Sequence, residues 1–164
     1  MHMGGEMYRQ ESKNQLKFED FYTPFGGHLR KNNRWVKLAE LIPWEELEDK
    51  YAEQFSDSGM GAPAKSFRMA LGALIIKEKL GLTDEEVVEH IRETPYLQYL
   101  VGMEGYQDKE PFEASMMVYF RKRISMEMLE EVNRKIHERM VKKKRKIRQK
   151  LKKKQAVKRK RGVS

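Results

Sequence analysis

Ser115, Tyr119, Arg121, Lys122 and Arg123 fall within nine residues, in the stretch "SMMVYFRKR". Three cations, a phenol and a hydroxyl at this density can donate hydrogen bonds to phosphate oxygens and to base edges, and guanidinium or phenol faces can stack on bases. The competing reading is a solvated cationic helix face. A wheel at about 100° per residue separates the groups. Met117, Phe120 and Ile124 fall together and must point inward; Val118, Tyr119 and Lys122 lie opposite; Arg121 and Arg123 flank the apolar side. The sequence thus predicts a short helix, capped by Ser115, held down by three apolar residues and turned outward with cations and an aromatic ring.

A second cationic group closes the chain. Residues 141–164 hold 14 Lys or Arg and no acid, while the preceding 140 residues hold 20 basic and 25 acidic side chains. The tail is therefore +14 and the rest −5. Such a block seeks polyanions, nucleic acid before anionic membrane. Its first run, Lys142, Lys143, Lys144, Arg145 and Lys146, is the candidate for contact with a phosphate backbone.

Other chemistries find little support. Cysteine is absent, which excludes disulfides and thiolate metal sites. His2, His28, His90 and His137 are not paired at ligand spacing, so no metal and no cofactor is expected here. "FGGH" and "GMGAP" read as turns rather than nucleotide loops. The acids of "WEELEDKY" and "LTDEEVVEH" suit solvation and helix capping. The longest apolar run, "ALGALII", is too short to span a bilayer, and the N-terminus lacks a signal-peptide core. A cytoplasmic, nucleoid-associated protein with no membrane contact is expected.

The elements that must position these groups are helical. Residues 1–33 look irregular, and 1–20 read as a flexible N-terminus. Trp35, Leu38, Leu41 and Ile42 mark a first helix; Pro43 opens a second with the stripe Trp44, Leu47, Tyr51 and Phe55, ended by "SDSGMGAP". Phe67, Leu71, Leu74 and Ile75 mark a third, closed by Gly81. Thr83 and Glu86 stand at capping-box spacing before Val87, Val88 and Ile91. Thr94 and Pro95 start a short helix closed by Gly102. Ser125 caps the last helix, striped by Leu129, Val132, Ile136 and Met140. The fold class is all-α: a helical bundle over about residues 21–140 containing a helix-turn-helix-like unit, then a long basic C-terminal helix or disordered tail over 141–164. Repulsion between neighbouring cations predicts fraying beyond about residue 145.

"RWVKLAELIPW", "RMALGALIIKEKLGLTDEEVVEHIRETPYLQYLVG" and "PFEASMMVYFRKRI" resemble the N-terminal, DNA-binding domain of bacterial insertion-sequence transposases of the DDE type, over about Phe21 to Ile136. The chain departs from that family at Ala62, where a basic residue is usual, and at Tyr119, where His is usual. The resemblance implies recognition of the element's terminal inverted repeats in double-stranded DNA by the helix carrying "FRKR". It also implies that catalysis, with Mg2+, belongs to a separate RNase H-like domain, so that this chain is a non-enzymatic, truncated portion. A homodimer or a complex with full-length transposase is implied as partner, and a stand-alone regulator of transposition is the alternative. The acid-free tail also fits a Glu- and Lys-rich linker read out of frame.

Overall fold

The computed structural model describes residues 17–56 and 65–162. The readings at residues 1–16, at Phe55 and over most of "SDSGMGAP" lie outside the residues and side chains described. After a single 3-10 turn at Phe18–Asp20 come α1 (Arg34–Leu41), α2 (Trp44–Ser56), α3 (Phe67–Leu80), α4 (Asp84–Glu93), α5 (Pro95–Leu100), α6 (Met116–Arg123) and α7 (Met126–Lys160). Among the described residues there is no strand, only an isolated bridge between Tyr22 and Gly105. A side chain on Gly105 would stand 2.7 Å from the Tyr22 Cβ, so the bridge needs glycine there. The fold is an all-α bundle.

Local chemistry sets the helix ends. The Asn33 side chain accepts from the backbone N–H groups of Trp35 and Val36 at 2.8 and 3.4 Å. Thr83 and Glu86 form the reciprocal capping box their spacing predicts, and Ser125 accepts from Met128 N at 3.2 Å. Gly81 ends α3 at φ +64°, in the left-handed region where glycine carries no Cβ penalty. Pro43 stands one residue before α2 rather than inside its first turn, its carbonyl accepting from Leu47 N at 3.3 Å.

α3 is the centre. It packs against α2, α4, α5 and α6. The predicted stripe of Phe67, Leu71 and Leu74 is buried, but so are Ala70, Gly72, Ala73 and Ile76, while Ile75 is only half-buried. A helix with neighbours on several sides has no polar face to give it a sharp period. At Gly72 an added Cβ would meet Val101 Cγ1 at 2.9 Å, so glycine lets the end of α5 approach. Arg68 is buried as well. It donates to the carbonyls of Leu100 (3.0 Å) and Tyr99 (2.7 Å), and its guanidinium lies over the rings of Trp44 (4.9 Å) and Tyr99 (5.1 Å). A cation at the last carbonyls of α5 suits the negative end of that helix.

α7 starts in the core and leaves it. Met128 and Val132 are buried, Leu129 and Ile136 partly so, and from Lys142 onward every described residue is exposed. Lys50 bonds Glu131 at 2.6–2.7 Å, Lys135 bonds Glu46, and Arg139 donates to the Glu40 carbonyl at 3.4 Å. These contacts tie α7 to α2 and α1. The helix then runs unbroken to Lys160, where fraying from about residue 145 is expected from charge alone. Lys, Arg, Gln and Ala are all good helix formers, and neither Gly nor Pro interrupts 141–161. Each i,i+4 like-charge pair costs only about 0.2–0.5 kcal/mol. At 35 residues the helix is about 50 Å long. No described helix is long and apolar enough to cross a membrane.

Candidate nucleic-acid interface

α6 sits on α3, held by the apolar triplet its spacing predicts. Met117, Phe120 and Ile124 are all 2% exposed or less, and Phe120 meets Phe112 edge-on at 5.1 Å. Burial of that triplet fixes the rotation of the helix and thereby everything on its outer side. Val118 and Tyr119 are 42% and 50% exposed. Lys122 is exposed beside them, its Nζ 5.9 Å from the Tyr119 ring centroid, at the limit of a cation–π contact.

The remaining predicted residues are placed differently from one another. Ser115 is exposed but does not cap α6 with its side chain. An N-cap needs an extended backbone, whereas Ser115 is itself helical at φ −59°, ψ −23°. Arg121 turns sideways and grips Asp84, the first residue of α4, through two parallel bonds: Nη1 to Oδ1 at 2.8 Å and Nη2 to Oδ2 at 3.1 Å. Lys77 of α3 adds a third contact, 3.0 Å from Asp84 Oδ1. The Arg121 bonds hold the Asp84 carboxyl below its ordinary range, and Asp84 raises Arg121 in return. Arg123 is half-buried. Its charge opposes the upward shift of the buried Tyr51 hydroxyl, which burial pushes to about 12.

So the structure brings Tyr119 and Lys122 together on an open face, directs Arg121 to α4, and sets Arg123 within reach of α2. Lys142, Lys143, Lys144, Arg145 and Lys146 stand exposed on α7. Asp84 is the residue that sequence reasoning missed. It stands where a carboxylate is expected for capping, and its partner lies 37 positions away, beyond the reach of any local signal. His90 is half-buried, with Nδ1 2.8 Å from the Glu86 carbonyl oxygen. A groove of about 940 Å³ opens elsewhere, beside the start of α2; Glu40, Glu45, Glu46, Lys17, Arg68 and Arg139 line it with both signs of charge.

The segment with this geometry matches a known domain. Residues 24–123 fit the transposase domain DUF772. The chain belongs to that transposase-domain family. The matched region of the transposase domain takes in α1 to α6 and ends on Arg123, the last residue of α6; α7 lies beyond it. The chain is also 38% identical over 97 residues to an uncharacterized protein, ORF8 of the nfe locus of Rhizobium meliloti. That alignment covers 59% of this chain and 46% of the relative, so the chain spans about half the relative's length. No solved structure matches this transposase-family chain.

Proposed function

We propose that this transposase-family domain binds double-stranded DNA at the terminal inverted repeats of an insertion sequence. The observation that carries the reading is the outer face of α6. A helix clamped by Met117, Phe120 and Ile124, inside a transposase-domain match, turns Tyr119 and Lys122 toward solvent. That is the presentation a helix-turn-helix reader uses, with a supported helix offering donors to a groove. The support here is α3 and α4. The connection from α5 to α6 runs over 101–115, much longer than the tight turn of the simplest such units. In this reading Ser115, Tyr119 and Lys122 contact the duplex, Arg121 and Arg123 set the edges of the contact, and Lys142 to Lys146 lie along phosphate. Strand cleavage and its Mg2+ are assigned to a separate catalytic domain, and no cofactor is assigned to these residues. Pairing with a second copy, or with a full-length transposase, follows from the need to bring two element ends together.

The test is binding of duplexes carrying the element's terminal repeats against scrambled duplexes of equal length. Lys122→Ala and Tyr119→Ala are expected to weaken the terminal duplex by about 1–3 kcal/mol for a side chain that reads a base, and the scrambled duplex less. Terminal binding as tight as wild type in both variants would move the reading face away from α6.

A further inference from the structure

A hollow of about 490 Å³ opens where the loop before α1, α1 itself and α7 meet. Arg30, Lys31, Asn32, Lys37, Glu40 and Lys143 line it. Four cations and one carboxylate thus converge from segments more than 100 residues apart in the chain. None of the six belongs to α6, and the family match leaves Lys143 outside.

Two observations bear on what these cations can do. The first is rigidity of the backbone that carries them. Arg30 N–H donates to the Tyr96 hydroxyl on α5 at 3.0 Å, the Arg30 carbonyl accepts from Asn33 N at 3.1 Å, and Asn33 in turn caps α1. Across the hollow, Arg139 fastens α7 to the Glu40 carbonyl one turn before Lys143. The second is charge. Lys50, Lys77, Lys135 and Arg121 each have a carboxylate, whereas among the described residues none of the four cations of the hollow forms an ion pair. Four like charges around one concavity repel one another in the free protein, and an anion relieves that repulsion.

We propose that this hollow is a second DNA contact, which seats the phosphate backbone of a duplex and leads it onto the basic face of α7. The proposal rests on the DNA-binding reading but uses none of the α6 residues. Phosphate is the fitting ligand, because flexible ammonium groups and one guanidinium around an open hollow give charge without the fixed geometry that base edges require. Lys143 is the joint: it lines the hollow and belongs to the basic run that begins at Lys142 and continues along α7 to Lys160. The tail then has a defined entry point on the body, and Glu40 is the one group in the hollow that opposes binding.

The experiment compares the full chain, the triple variant Arg30→Ala/Lys31→Ala/Lys37→Ala, and Glu40→Gln. Each is titrated with a terminal-repeat duplex, a random duplex and single-stranded RNA across a salt series. The triple variant is expected to weaken both duplexes by a common factor, on the order of 10-fold or more, and to flatten the log–log salt slope by about 2–3, at ~0.9 for each phosphate no longer neutralised. Glu40→Gln is expected to tighten both duplexes by about 2–5-fold, the range of an exposed charge interaction, a gain that misfolding does not produce. An unchanged slope in the triple variant, with wild type binding DNA, overturns the hollow and leaves the α6 reading standing. Selective loss of the terminal duplex would make the hollow a sequence reader and overturn it as a backbone seat. Tighter binding of the single-stranded RNA than of either duplex would overturn DNA as its partner. A wild type that binds neither duplex overturns the α6 reading and the hollow with it.

Discussion

Asp84 carries two cations, Arg121 through both carboxylate oxygens and Lys77 through one, and so joins α3, α4 and α6 at one point. The carboxylate is 22% exposed, and its pKa is lowered from an ordinary 3.8, first by the Arg121 hydrogen bond. The sign follows from linkage. A carboxyl whose pKa is lower folded than unfolded adds stability in full above the unfolded value, and loses it as pH falls through the folded one. The link is intact at neutral pH and fails only in acid. Asp84→Asn is expected to cost ~1 kcal/mol at pH 7, the upper range for a surface pair, measured by urea unfolding. The gap between wild type and variant should close as pH falls below 3.8. A gap that persists to strong acid would mean that packing at Asp84, not its charge, makes the link. The residue scale also marks where local pattern stops informing. The inward triplet Met117, Phe120 and Ile124 and the Thr83–Glu86 box were legible because both depend on spacing of three or four. The Arg121–Asp84 pair was not, because tertiary packing alone brings those residues together. Ser115 failed as a side-chain cap because capping depends on its own φ and ψ, which the residue type does not fix.

For α6, eight residues long, position is a matter of packing rather than propensity, since so short a helix is marginal alone. Phe120 is the main anchor, buried to 1% and edge-on to Phe112. Phe120→Ala is expected to destabilise the fold by about 3–5 kcal/mol. Below the melting point it should also erase the preference for terminal over scrambled DNA, while binding through α7 persists. A variant that is destabilised yet keeps that preference would show that the α6 register is not what selects sequence. The other helices explain why some element boundaries were legible and some faces were not. Amphipathic α4 declared its buried side through Val87, Val88 and Ile91. Surrounded α3 declared only part of its buried side, Phe67, Leu71 and Leu74, and nothing in its pattern marked Arg68, which lies buried against α5. In α7 the inward stripe of Leu129, Val132 and Ile136 was legible, whereas Met140, read as its next member, is exposed. The persistence of the helix was not legible, because charge repulsion and helix propensity oppose each other and composition alone does not rank them.

Charge is divided across the whole molecule in a way that no single element reveals. Residues 141–164 carry +14 and the rest −5, from 34 basic and 25 acidic side chains in all. A body of net −5 repels DNA overall and attracts it only through local patches, so the α7 extension dominates the long-range field. The extension contributes nothing to the core: Met128 and Val132, with the Lys50–Glu131 and Lys135–Glu46 pairs, anchor α7 before residue 141. Removal of 141–164 therefore separates field from fold. The shortened chain is expected to melt at the temperature of the full one. Its affinity for a random duplex should fall at least ~10²-fold near 0.1 M salt, with a flatter log–log slope, because many phosphates are released at once. Terminal and random duplexes should weaken by similar factors, since an exposed helix on phosphate adds affinity without sequence readout. A salt slope unchanged by the deletion would mean that α7 beyond residue 141 does not touch phosphate. A fall confined to the terminal duplex would instead place base reading on the extension, and α6 would then serve only to support the core.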